Sequence, residues 1–131
     1  MQSLATRLKD VQQAGMYPLN CSPSSLRDAV ADAELAFFEL DLAAVHGKAE
    51  FLAALAQAFQ MPAWFGANWD ALADALSDLS WRPAAGYVLL LQNSGATFNL
   101  TAEDYRMVRE LLLEMTSFWK KQGKPCWIFF A

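Results

Sequence analysis

The sequence predicts an α/β fold: a small three-stranded parallel sheet packed with helices, preceded by a helical extension. Three observations carry this expectation. Residues 35–42 (LAFFELDL), the run Val88-Leu89-Leu90-Leu91 and residues 125–130 (PCWIFF) are short apolar segments of strand length, as in strands buried on both faces. Segments with helical spacing lie between them, and a helical crossover between successive strands implies parallel pairing. The chain has 131 residues and a hydrophobic fraction of 55%, enough for one domain with a real core.

The elements follow in order. Residues 2–13 carry Leu4, Leu8 and Val11 at helical spacing, and Gly15 stops that segment. Residues 17–24 contain Pro18, Asn20 and Pro23 and read as turns. Ser24 or Ser25 can cap a short helix to about Ala33, with Leu26 and Val30 facing inward. Residues 1–34 thus read as an N-terminal helical extension packed on a domain spanning 35–131. After the first strand, residues 48–60 form a helix with Phe51, Leu52, Leu55 and Phe59 on one side, ended by Pro62. A second helix runs from Asn68 to about Leu79. Thr101 caps a long helix to about Gln122, with Tyr105, Val108, Leu112, Met115 and Trp119 along its apolar face. Lys120 and Lys121 suit its negative end, and Gly123 can terminate it.

The composition narrows the function classes. Charged residues make up 18% of the chain and the net charge is −4. Direct nucleic-acid binding is disfavoured, because neutralising phosphates needs clustered Lys and Arg. A basic protein partner fits better. Cys21 and Cys126 stand in no C-x-x-C spacing and read as two reduced thiols. The first residues lack an apolar core, so they are no signal peptide. No apolar run approaches the roughly 20 residues of a spanning helix. These points lead us to expect a cytoplasmic protein that is monomeric when free, uses no cofactor or metal, and binds neither membrane nor nucleic acid.

The segment from residue 49 to residue 81 has no Lys or Arg, and its four charges are Glu50, Asp70, Asp74 and Asp78. The three aspartates are four apart, which places them on one helix face. Trp69, Leu72, Leu76 and Leu79 fall on another, with core spacing. Ala71, Ala73 and Ala75 leave the acidic stripe sterically open. Like charges at i,i+4 cost a few tenths of a kcal/mol per pair, and only Asp70 lies where the positive helix end offsets the charge. The bland alternative is a solvated face. The approach to the helix, Trp64-Phe65-Gly66-Ala67-Asn68-Trp69, adds specificity. Gly66 suits a crowded backbone position or a positive φ, Asn68 is a good N-cap, and Trp64 and Phe65 sit beside the carboxylates. Aromatic side chains next to carboxylates suit a cationic partner.

The run MPAWFGANWDALADALSDL resembles the barstar family, in which a proline, an aromatic pair and a glycine lead into an N-x-D helix. The resemblance covers roughly residues 35–130 in element order and is specific mainly at residues 62–76. It implies an inhibitor whose helix and preceding loop plug the active site of a small basic ribonuclease, a secreted enzyme or a toxin. Asp70 and Asp74 would then meet catalytic Arg, Lys and His side chains where phosphate otherwise sits. Trp64 would pack against the enzyme, while Gly66 and Asn68 shape the loop. The chain departs from the best-known member of that family at several points. Ala67 stands where an acidic residue would strengthen the field, Ala73 replaces an aromatic, Phe118 and Trp119 stand at an acidic contact, and Asp78 is an additional carboxylate.

Two other functions compete. Paired carboxylates can run acid–base or glycosidic chemistry. However, the lone histidine, His46, has no recognisable partner motif, and the chain has no Gly-rich phosphate loop, metal-ligand spacing or nucleophile elbow. We therefore expect no enzyme. The third reading is a non-inhibitory interaction module on the same scaffold.

Overall fold

The computed structural model describes residues 3–62 and 65–131. Four parallel strands, β1 (Met16–Pro18), β2 (Ala36–Asp41), β3 (Tyr87–Gln92) and β4 (Cys126–Phe130), form one sheet in the order β1-β4-β3-β2. The expected three strands are β2, β3 and β4. Leu89 lies opposite Phe38 on one side and Ile128 on the other. The α/β class and the parallel pairing hold, and the strand count is corrected from three to four.

The extra strand comes from the segment read as turns. Met16, Tyr17 and Pro18 pair with Ile128, Phe129 and Phe130, and Ile128 N–H donates to the Gly15 carbonyl just before the strand. Proline is tolerated there because an edge strand need not use every N–H. Three residues are too short to show an alternating pattern, so hydrophobic periodicity does not reveal this strand.

Among the described residues five α-helices flank the sheet, α1 (Leu4–Leu8), α2 (Pro23–Ala33), α3 (Lys48–Ala58), α4 (Trp69–Leu76) and α5 (Ala102–Lys121), and a short 3-10 turn spans Leu42–Ala44. Helix α1 is shorter than expected, with Lys9 already its C-cap. The cap of α2 is Ser22 rather than Ser24 or Ser25. Its side chain accepts from Ser25 N–H, and Pro23 takes the first helical position, which suits its missing N–H. Thr101 caps α5 as expected, its hydroxyl accepting from Asp104 N–H at 3.2 Å.

The sheet is buried on both faces. On one, Leu89, Leu91, Cys126 and Ile128 join Leu52, Leu55, Leu72, Leu76, Leu112 and Met115 from α3, α4 and α5. On the other, Val88, Leu90, Trp127 and Phe129 meet Leu8 of α1 and Leu26, Ala29, Val30 and Ala33 of α2. The extension therefore supplies a strand and the entire helical cover of one sheet face, rather than helices alone. Trp127 Nε1–H donates to the Leu8 carbonyl at 2.8 Å, which fixes α1 on that face.

Beyond the carboxyl ends of β2 and β3 the loops are tied together. Asn93 Nδ2 donates to Asp41 Oδ1 at 2.7 Å, and Asn99 Nδ2 donates to the Leu42 carbonyl at 2.7 Å. The Asn93 bond, with a second from Ala43 N–H, holds the Asp41 carboxyl below its usual range. Cys21 is exposed and Cys126 buried, both as free thiols. Burial pushes the Cys126 thiol up to about 12. No helix among the described residues is long and apolar enough to cross a membrane.

Candidate partner-binding surface

Helix α4 starts where the sequence places it. Asn68 is the N-cap, and its Oδ1 accepts from Ala71 N–H at 2.8 Å. The cap satisfies one of the donors that every helix start leaves open. Its Nδ2 donates to the Gly66 carbonyl at 3.4 Å, closing the loop on itself.

The positive φ in this loop falls on Ala67, at 51°, and not on Gly66. Gly66 answers to crowding instead. A Cβ there would lie 3.3 Å from Asn68 Nδ2 and 3.6 Å from the Ala71 methyl. Gly66, Ala67 and Asn68 are all exposed, whereas Phe65 is half-buried and packs against the core. Trp64 lies outside the described residues.

The core face of α4 consists of Leu72, Ala75 and Leu76, all buried, with Trp69 partly buried against the same cluster. Ala75 thus belongs to the core and does not flank the acidic stripe. Asp70 and Asp74 are exposed one turn apart. Among the described residues the one ion pair is Arg27–Glu39, so neither aspartate has a cationic partner. Asp70 benefits from the helix start, while Asp74 faces solvent with nothing to offset it.

The helix ends at Leu76 rather than about Leu79, with Ser77 as its C-cap, so Asp70 and Asp74 lie on the helix and Asp78 lies beyond it. Leu79 takes a left-handed φ of 49° and is still buried. Asp78 lies in the turn after the helix, where it accepts from Ser80 Oγ at 3.0 Å.

Two indoles fix the far end of this segment. Trp119 Nε1–H donates to the Leu76 carbonyl at 2.9 Å, filling an acceptor that the helix end leaves open. Trp81 Nε1–H donates to the Phe59 carbonyl at 2.9 Å, tying the turn to the end of α3. Helical spacing marks Trp119 as apolar but says nothing of what its N–H meets. The sequence reading also missed Lys48. From the first turn of α3 its Nζ sits over the Trp69 ring, 5.0 Å from the centroid, within cation–π range. Lys48 lies just outside the cation-free stretch, and nothing in the linear spacing places it beside Trp69.

The surface is a capped helix that offers two exposed carboxylates, unpaired among the described residues, beside a half-buried indole. Its charge is complementary to a cationic surface. Among the described residues no group of three or more His, Cys, Asp or Glu side chains is placed to hold a metal ion.

The family model described as Barstar (barnase inhibitor) matches residues 35–131. No individually curated protein matches the chain. The match takes in the parallel strands β2, β3 and β4 together with α3, α4 and α5, the elements that build and support the acidic helix. The chain belongs to the barstar family, whose members are inhibitors of barnase-type ribonucleases rather than enzymes.

Proposed function

We propose that this protein inhibits a small basic ribonuclease by seating α4 and the loop before it in the enzyme's active site. The supporting observation is that Asp70 and Asp74 stand exposed on one helix face with no cation paired to them. A partner's catalytic Arg, Lys and His side chains would supply those cations, so the carboxylates occupy the place of substrate phosphate. Phe65, Gly66 and Asn68 shape the approach, Trp64 adds an aromatic contact, and Asp78 reaches the rim from the turn after the helix. Before it meets the enzyme, the inhibitor is a cytoplasmic monomer without cofactor.

An RNA-cleavage assay against barnase-type enzymes, with and without the protein, tests this reading. Asp74→Ala is expected to weaken inhibition by about 2–5 kcal/mol, the usual cost of removing one partner of a buried charge pair. (The barnase–barstar complex is itself one of the systems behind that range.) Because Asp74 is exposed and makes no hydrogen bond or ion pair with the described residues, the thermal midpoint is expected to hold. Binding is also expected to weaken as salt rises, since much of the attraction is between charges. Full inhibition by the Asp74→Ala protein would remove Asp74 from the interface. No inhibition of any basic ribonuclease by the wild-type chain would remove the function.

A further inference from the structure

A second recess lies on the opposite face of the sheet from α4. It is a cleft of about 610 Å³ between α1, β1, the segment entering α2 and the outer face of β4. That volume is within the range of small-ligand sites, roughly 300–1,000 Å³. Its aromatic side is built in register. Trp127 and Phe129 stack with centroids 5.6 Å apart and planes within 9°. Tyr17 leans on Trp127 at 5.7 Å and is 43% exposed. Tyr17 and Trp127 are also oriented by hydrogen bonds, from Tyr17 Oη to the Gln13 carbonyl and from Trp127 Nε1 to the Leu8 carbonyl.

The polar side is cationic and unspent. Arg7 lines the cleft and makes no ion pair or side-chain hydrogen bond among the described residues. The side chains of Gln12 and Asn20 also line it without a hydrogen-bond partner. Asp10 is the one acid in residues 3–21, against Arg7 and Lys9. Its carboxylate is taken up by the Gln13 side chain and Gln12 N–H. The chain is acidic overall, but this corner is locally cationic and holds a free guanidinium beside an aromatic wall. Such a pairing suits a planar ligand with a carboxylate, which guanidinium binds in a bidentate fashion.

We propose that this cleft is a binding site for small aromatic carboxylates, separate from the acidic helix. Cys21 lines the same cleft and is exposed, so it reports occupancy. The second thiol, Cys126, is buried and poorly ionised, and an alkylating agent will not compete for it in the folded chain. The experiment follows iodoacetamide labelling of Cys21 by mass spectrometry, with indole-3-acetate and its neutral amide as probes. The acid is expected to slow labelling at least several-fold and saturably, and the amide to do so much less. Arg7→Gln should erase the difference between the two probes while leaving the circular dichroism unchanged, because the exposed Arg7 side chain makes no hydrogen bond or ion pair among the described residues. Tyr17→Ala should weaken protection by both. Labelling of the urea-unfolded chain should ignore either probe. Equal protection by acid and amide, or an acid effect that survives Arg7→Gln, would overturn the assignment. So would the absence of protection at millimolar acid.

Discussion

Ala67 holds the left-handed backbone conformation that residue preference would assign to its neighbour Gly66. Such a conformation costs a residue with a Cβ about 1–2 kcal/mol. Glycine would recover that cost and lose back about 0.5–1 kcal/mol through its freer unfolded chain. Ala67→Gly is therefore expected to stabilise the protein, by up to about 1.5 kcal/mol in urea denaturation. A lower midpoint would show that Ala67 is not strained in solution. At this scale the sequence is partly legible. Asn68 as cap and Asp70 and Asp74 as exposed carboxylates follow from side-chain chemistry and spacing. The exchange of roles between Gly66 and Ala67 does not, because the loop path is set by how Phe65 and Asn68 are anchored on either side. Lys48 over Trp69 is equally invisible, since it depends on how α3 lies against α4 and not on either helix alone.

The length of α4 decides how many carboxylates the helix itself presents, and a tertiary hydrogen bond meets its open end. Leu79 satisfies the spacing of a continuing helix, yet the helix ends at Leu76 and Leu79, in a left-handed conformation, is still buried in the same core. The Leu76 carbonyl, freed by the turn, is taken by Trp119 of α5. Trp119→Phe keeps an aromatic ring but removes that donor and leaves a buried carbonyl unmet, at a cost of about 1–3 kcal/mol. We expect a matching drop in the urea midpoint and faster amide exchange in the last turn of α4. An unchanged midpoint would mean that water replaces the indole. By contrast, the long helix α5 was legible nearly to its ends, since it carries a Thr cap, an apolar stripe and terminal lysines. Helix ends marked by their own caps and terminal charges are readable from sequence, whereas the end of α4, where a neighbouring helix's indole takes the open carbonyl, is not.

At the scale of the whole molecule, the continuous apolar runs of β3 and β4 demand cover on both sheet faces. The elements matched by the family model place α3, α4 and α5 against one face. Residues before 35 supply the cover for the other, through α1 and α2. The sequence makes these two helices visible as amphipathic segments, but it does not show that they close the sheet, because their partners are about 55 to 120 residues away in the chain. We propose that residues 1–34 are an obligatory part of the domain and not a detachable appendage. Removing them would uncover Val88, Leu90, Trp127 and Phe129. Each fully buried side chain of this size is worth about 1.5–3 kcal/mol, so exposing four costs on the order of 6–12 kcal/mol. That is comparable with the whole net stability of an ordinary domain, about 5–15 kcal/mol. A chain starting at residue 35 is therefore expected to bind a hydrophobic dye, associate, and lose its cooperative urea transition. If that shortened chain stays monomeric and unfolds cooperatively with an undiminished midpoint, the extension is dispensable, and the sheet face beneath α1 and α2 tolerates water.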